Sequence, residues 1–268
     1  MKKALIIGCG NMGSAIATAL LEKQVFTRET LHILERRETR QTLELEGMGV
    51  TVLKEFREIT GHQELVLLAV KPQDSALALQ ALAPHVNDES LVISIMAGIT
   101  IKQLEAYLPE SMIIRAMPNT PSAIQMGMTA YCGNDKVKAT DAAVAQVVLG
   151  GMGKAIETPN ESMIDSATAI SGSGPAYLFY LAEAMIEAAL EFGFSPKDAR
   201  DMVTQTLLGA SALLDGSSEE AKELRTRVTS KGGTTEAALN TFDQEGIMAG
   251  LIKGIKAAKN RSEELGRG

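Results

Sequence analysis

The sequence predicts an α/β domain built on a mostly parallel, doubly wound sheet, followed by an all-helical domain. Three observations carry this reading. Short, nearly continuous apolar runs alternate with helical patterns through the first half of the chain. Strand signals largely stop after Glu161. Glycines (24) outnumber aromatics (Phe 6, Tyr 4, Trp 0) by more than two to one, so some should hold specific backbone positions. Strands that are apolar along their whole length belong in a parallel sheet covered on both faces. The expected boundary divides residues 1–161 from residues 162–268.

Lys3–Ile7 is the first strand, stopped by Gly8-Cys9-Gly10. A helical pattern follows from Asn11 to about Lys23, with Ile16, Leu20 and Leu21 on one side. Leu31–Leu34 is a second strand, and Arg36–Gly47 a charged helix. Val50–Leu53, Leu65–Val70, Leu91–Ile95 and Met112–Ala116 continue the sheet, with helices at Ser75–Leu82 and Ile101–Leu108. Met128–Tyr131 is a further strand candidate, before a helix from about Lys136 to Leu149.

In the second half, Pro175 is well placed to open a helix running to about Phe192, with Gly193 as its C-cap. Ser195-Pro196-Lys197-Asp198 starts the next helix, to about Leu214. Glu219–Arg227 is a short helix, Thr229–Thr234 a glycine-containing turn, and Thr235–Phe242 and Gly246–Ala258 are helical again. Gly250, Gly254 and Ala258 share one helical face. That face suits internal packing and a subunit interface equally.

Composition excludes several classes. A net charge of −7 argues against a wholly basic nucleic-acid-binding surface. No apolar run approaches the roughly 18 residues that cross a bilayer. Met1-Lys2-Lys3 begins like a signal peptide, but Ala4–Ile7 is too short an apolar core for one. Free Cys9 and Cys132 suit a reducing compartment, and a cytoplasmic protein is expected. There is no C-x-x-C, H-E-x-x-H, G-x-S-x-G or Walker pattern, and His32, His62 and His85 are scattered, so no metal site is expected.

Gly8-Cys9-Gly10-Asn11-Met12-Gly13 is a full G-x-G-x-x-G between a predicted strand and a predicted helix, the context that a dinucleotide-binding turn requires. Its glycines make the tight turn, admit a pyrophosphate and let helix and strand pack closely. The helix N-terminus faces the diphosphate with free N–H groups. Glu35 ends the second strand, about 20 residues on, where an acid binds the adenosine ribose and favours NAD. Arg36 and Arg37 follow at once and favour a 2′-phosphate, so the two cues conflict. Lys71, in Ala69-Val70-Lys71-Pro72, could contact cofactor hydroxyls or phosphates. Ala97-Gly98 would leave room for a flat ring. Met117-Pro118-Asn119-Thr120-Pro121 is either a stiff turn or a source of amide hydrogen bonds from Asn119.

Two glycine clusters lie in the helical half. Ser230-Lys231-Gly232-Gly233-Thr234-Thr235 precedes a helix and could cradle a carboxylate. Ser171-Gly172-Ser173-Gly174-Pro175 is either a capped helix start or part of a site. Without a metal or a strong acid–base pair, hydride transfer to an already electrophilic carbon fits best. A protonated C=N bond needs mainly orientation and one or two hydrogen bonds.

The whole chain, from about residue 3 to 265, resembles the pyrroline-5-carboxylate reductases. The resemblance rests on the N-terminal GxGxxG, AVKP at 69–72, SGSGPAY at 171–177 and LRTRVTSKGGTTEAAL at 224–239. It implies a Rossmann domain followed by a helical domain that builds a homodimer, in many members assembled into a ring of dimers. The implied reaction is reduction of 1-pyrroline-5-carboxylate to L-proline, with NADP(H) favoured and NAD(H) open. By the same resemblance, Ser230, Gly232, Gly233 and Thr234 hold the substrate carboxylate. Thr235 hydrogen-bonds the ring nitrogen as the catalytic residue, and Glu161 stands on the substrate side. Gly8, Cys9, Gly10, Asn11, Met12, Gly13, Glu35, Arg36, Ala69, Val70, Lys71, Pro72, Met96, Ala97, Gly98 and Asn119 correspond to cofactor contacts.

Lys231 stands where many members have proline, and Phe56 where several have an asparagine near the adenosine. Two other readings compete. A 3-hydroxyacid dehydrogenase also fits Gly8–Gly13, but it needs a lysine that Pro175–Leu190 lacks. A non-catalytic dinucleotide sensor would tolerate a degraded substrate loop, yet Ser230–Thr235 is complete.

Overall fold

The computed structural model describes residues 3–266. Among these, the strands β1 (Ala4–Ile7), β2 (Leu31–Leu34), β3 (Thr51–Leu53), β4 (Leu65–Leu68), β5 (Leu91–Ser94), β6 (Met112–Met117), β7 (Gly127–Gly133) and β8 (Gly153–Glu157) form one sheet. Its order is β3-β2-β1-β4-β5-β6-β7-β8. All pairs are parallel except β6–β7, which is antiparallel. The direction of winding reverses between β1 and β4, and in such sheets that crevice takes the ligand.

The helices of this half are α1 (Asn11–Glu22), α2 (Arg40–Gly47), α3 (Ser75–Leu82), α4 (Ile101–Glu105), α5 (Ala139–Gly150) and α6 (Ser162–Ala167). Successive strand residues point to opposite faces. Ile6, Ile33, Leu67 and Ile93 pack with Ile16, Leu20 and Leu149 of α1 and α5. Leu5, Ile7, Val66 and Val92 pack with Leu79 and Leu82 of α3 and Leu104 of α4. Every residue of β1, β4 and β5 is buried, which is why these strands read as uninterrupted apolar runs.

Several details differ from the sequence reading, among them the end of the last helix, at Gly266 rather than about Ala258. Helix α2 starts at Arg40 rather than Arg36, because Thr39 and Thr42 cap it reciprocally. Arg36, Arg37 and Glu38 therefore lie in the turn after β2. Strand β8 gives no apolar run in the sequence, because it is an edge strand with no fully buried residue. Ser171-Gly172 belongs to a π-helical turn, Thr168–Gly172, that runs up to α7 (Gly174–Glu191) rather than to a capped helix start. There the Thr168 and Ser171 hydroxyls donate to the carbonyls four residues back, and Ser173 N–H donates to the Thr168 carbonyl.

The remaining helices are α7 (Gly174–Glu191), α8 (Pro196–Gly216), α9 (Ala221–Arg227), α10 (Thr234–Gln244) and α11 (Ile247–Gly266). The chain forms two compact units. One runs through Ser173 and regains the chain from Ala258 onward; the other is Gly174–Ala257. This division falls later than the expected 161/162 boundary. Helix α6 packs on β6 and β7, so the sheet unit keeps it. In the second unit α7 and α8 pack together, yet Ala189, Ala199 and Val203 are its only buried apolar residues.

Candidate active site

A cleft of about 690 Å³ opens at the carboxyl ends of β1, β2 and β4. Gly8, Cys9, Gly10, Asn11, Glu35, Arg36, Arg37, Phe56, Ala69, Val70 and Lys71 line it. Gly10 is the N-cap of α1, and nothing lies within 4 Å of where its side chain would begin. The first N–H groups of α1 have no intrahelical acceptor, as at any helix start. An open backbone cradle with unsatisfied donors fits the pyrophosphate of a dinucleotide. A Cβ on Gly13 would overlap the Gly8 carbonyl oxygen, so this glycine lets α1 approach β1. Met12 and Gly13 lie inside α1 and outside the lining.

The Glu35 carboxylate accepts from Cys9 N–H at 2.9 Å and from Arg37 N–H at 3.2 Å. It therefore braces the glycine turn against the end of β2. Neither Arg36 nor Arg37 has an ion-pair partner among the described residues. The Cys9 side chain is buried. Burial first, and then the Glu35 carboxylate, push its thiol up to about 11, against a smaller opposing pull from Lys54. It stays protonated and unreactive at neutral pH.

The loop after β5 carries Met96, Ala97 and Gly98. Met96 N–H donates to Ser94 Oγ at 3.3 Å and its side chain is buried. Ala97 is exposed. Gly98 has φ +76°, and a Cβ there would sit 3.4 Å from Leu265 at the end of α11. Pro72 opens a 3₁₀ turn, Pro72–Asp74. The Asn119 amide joins two segments: Nδ2 donates to the Ser171 carbonyl and Oδ1 accepts from Met128 N–H, both at 2.9 Å. Both ends of this side chain are engaged within the protein.

Glu161 is engaged in the same unit. Its Oε1 accepts from Ile101 N–H at 2.8 Å and from Arg115 Nη1 at 2.9 Å. Arg115 Nη2 reaches Asp165 Oδ1 at 3.1 Å, and Ser262 Oγ donates to the same oxygen at 2.9 Å. The Arg115 side chain is only 4% exposed. Sequence reading passed over Arg115; a lone cation inside the apolar run Met-Ile-Ile-Arg-Ala-Met was its signal. Cys132, opposite Arg115 in the sheet, is raised to about 11 by burial first and Glu161 second.

In the helical unit, Ser230-Lys231-Gly232-Gly233 leads into α10, whose N-cap Gly233 offers no side-chain cap. Gly233 N–H donates to the Ser230 carbonyl at 3.0 Å, and Gly232 N–H to Glu236 Oε2 at 2.7 Å. These bonds close the turn and leave the first N–H groups of α10, beside the Thr234 and Thr235 hydroxyls, for an anion. Glu236 was also missed; an acid at the third helical position is its signal.

The comparisons agree with both halves. Residues 161–265 match the family model described as pyrroline-5-carboxylate reductase dimerisation. Residues 3–98 match the one described as NADP oxidoreductase coenzyme F420-dependent. A pyrroline-5-carboxylate reductase of Pseudomonas aeruginosa is 37% identical over 260 residues, 97% of this chain and 95% of that one. The structure of a pyrroline-5-carboxylate reductase from Coxiella burnetii superposes with a TM-score of 0.91 at 32% identity, covering 98% of each chain. A Plasmodium falciparum pyrroline carboxylate reductase with NADP bound gives 0.88 at 28% identity, covering 99% of this chain and 98% of that one. On sequence and fold together, this chain belongs to the pyrroline-5-carboxylate reductase family.

Proposed function

We propose that the protein reduces the C=N bond of 1-pyrroline-5-carboxylate to give L-proline, with NADPH as the favoured hydride donor and NADH as a second one. The observation that carries this reading is the pairing, in one chain, of an open dinucleotide cradle at Gly10 with an intact Ser230–Thr235 turn at the head of α10. Full-length similarity to reductases of that name supports it. The dehydrogenase and sensor alternatives have no comparable support.

The nicotinamide cofactor supplies the hydride; the protein binds, orients and excludes water. The first turn of α1 receives the pyrophosphate. The Arg36 and Arg37 guanidiniums are available for a 2′-phosphate, while Glu35 is held by Cys9 and Arg37 N–H groups. The NADP-bound Plasmodium relative supports the same preference. Ala69, Val70, Lys71 and Pro72 frame the cofactor after β4, and Ala97 and Gly98 after β5, while buried Met96 and the doubly engaged Asn119 amide support these loops from within the protein. Ser230, Gly232, Gly233 and Thr234 form the turn that seats the substrate carboxylate on the first N–H groups of α10, and the Thr235 hydroxyl orients the ring nitrogen. Glu161 acts on the substrate side. The proton completing the amine comes from solvent.

The dimerisation match supports a homodimer, and the exposed apolar residues of Gly174–Ala257 supply the surface for it. A ring of dimers and a cytoplasmic location complete the proposal. No helix of the described residues is long and apolar enough to cross a membrane.

The test is NADPH consumption by purified protein with pyrroline-5-carboxylate, with L-proline measured as product. No turnover with either nucleotide overturns the reading. Thr235→Ala is expected to lower kcat about a hundredfold, within the range for a lost orienting group, with the NADPH Kd unchanged. Wild-type turnover in that variant removes Thr235 from the reaction.

A further inference from the structure

We infer that Arg115 is a positioning residue: through Glu161 it fixes the loop Ala97–Ile101, on which the reacting ring of the cofactor is proposed to rest. The inference rests on the reductase reading and specifies how Glu161 serves it.

The loop lies at the carboxyl end of β5, beside the end of β4, where Ile95 N–H donates to the Leu68 carbonyl. Gly98 needs a left-handed backbone, which by itself is loosely determined. A local capping box between Thr100 and Gln103 ties the loop's end to α4, and two supports from elsewhere in the chain hold the rest. On one side, the end of α11 rests on the loop, with Leu265 beside Gly98 and Gly266 near Thr100. On the other, Ile101 N–H, an orphan donor at the start of α4, is capped by Glu161 from 60 residues away. A capping acid is normally local. A distant one must be held by something else, and that is Arg115.

The arginine emerges from β6 with almost no solvent access, one arm on Glu161 and the other on Asp165. Ser262 of α11 donates to Asp165. One cation thus ties together the strand, α6, the cap of α4 and the terminal helix. The two-armed grip needs a planar guanidinium; a lysine ammonium reaches one carboxylate well. A shift of about 1 Å in a part that positions the reactants can cost roughly a hundredfold in rate. Cofactor affinity should change little, because the cleft at Gly10, Glu35 and Arg36 is separate from this network.

This differs from direct action of the Glu161 charge on substrate, and the two are separable. Glu161→Ala removes the acceptor of Ile101 N–H and leaves the Thr100–Gln103 capping box in place; Glu161→Gln keeps an oxygen for Ile101 N–H. The experiment measures kcat, KM for the imine, NADPH Kd and amide hydrogen exchange for wild type, Arg115→Lys, Glu161→Ala and Glu161→Gln. Arg261→Ala, on the exposed side of α11, is the control. Arg115→Lys and Glu161→Ala are expected to lower kcat about tenfold or more, with Kd and KM within about twofold. Exchange should rise in residues 97–101 while β1 and β4 stay protected. Glu161→Gln should recover most of the rate.

Wild-type kcat in Arg115→Lys and Glu161→Ala overturns the inference, as does exchange that rises equally across the sheet. Glu161→Gln as slow as Glu161→Ala, with a raised KM, also overturns it and assigns the carboxylate to the substrate. Should Arg115→Lys not fold, the Glu161 pair decides alone. No turnover in the wild type sinks the reductase reading instead, while the exchange measurement still reports on the loop.

Discussion

The two compact units are stabilised in different ways. The sheet unit buries both faces of its strands within one chain: Ile6 and Ile93 lie on one side, Val66 and Val92 on the other, each close to zero exposure. The helical unit leaves Phe179 at 66%, Leu208 at 58% and Leu213 at 71% exposed on α7 and α8. These are large apolar side chains of the kind that a subunit interface buries. The first unit's architecture is therefore complete in the single chain, whereas the second is shaped for a partner. The dimerisation match over 161–265 agrees with that difference.

The difference can be broken most directly at the exposed face. Leu213→Glu is expected to weaken the dimer about a thousandfold, or ~4 kcal/mol, because a two-fold interface buries the new charge twice. Analytical ultracentrifugation checks this, and an unchanged dimer removes α8 from the interface. The closed nature of the sheet unit predicts its thiol chemistry. With Cys9 and Cys132 moved from 9.0 to about 11, native alkylation at pH 8 should be about a hundredfold slower than in the unfolded chain. The rate should rise about tenfold per pH unit until the thiols ionise, since only the thiolate reacts. Timed iodoacetamide labelling read by mass spectrometry measures it.

A sharper probe of the same unit is Gly13→Val. The added atoms meet backbone at Gly8, and overpacking of this kind costs ~2 kcal/mol, roughly a thirtyfold change in the folding equilibrium. Urea denaturation measures the loss, and an unchanged midpoint refutes the close approach. The smallest effect is expected at Glu35. Glu35→Ser should raise the ratio of kcat/KM for NADPH over NADH about fivefold, by removing a carboxylate beside the 2′-phosphate position. The change is modest because Glu35 is already turned toward Cys9 N–H. An unchanged ratio takes Glu35 out of cofactor choice.

Much of the fold was legible in the sequence because fully buried parallel strands write themselves as apolar runs: Leu65–Leu68 and Leu91–Ser94 needed no further signal. Edge strand β8 wrote no such run, and its existence depends on pairing with β7. The glycine turn was equally legible, since Gly8 takes a left-handed backbone and Gly13 lets α1 close on Gly8. The Arg115 network was not. Its members are spread from residue 101 to residue 262, and although the apolar run around Arg115 marks a buried cation, nothing local names the carboxylates it bridges. Asn119 is similar: its position after β6 suggested a ligand contact, but only the folded chain presents it with the Ser171 carbonyl.

By itself the sequence determined the dinucleotide half, the helical half and the identity of the glycine-rich turns, because each follows from residues adjacent in the chain. Tertiary structure alone decided that Glu35 braces the Cys9 turn, that Glu161 caps α4 under the grip of Arg115, and that α7 and α8 expose their apolar faces. Those outcomes depend on distances between residues tens of positions apart, which local propensities leave undetermined.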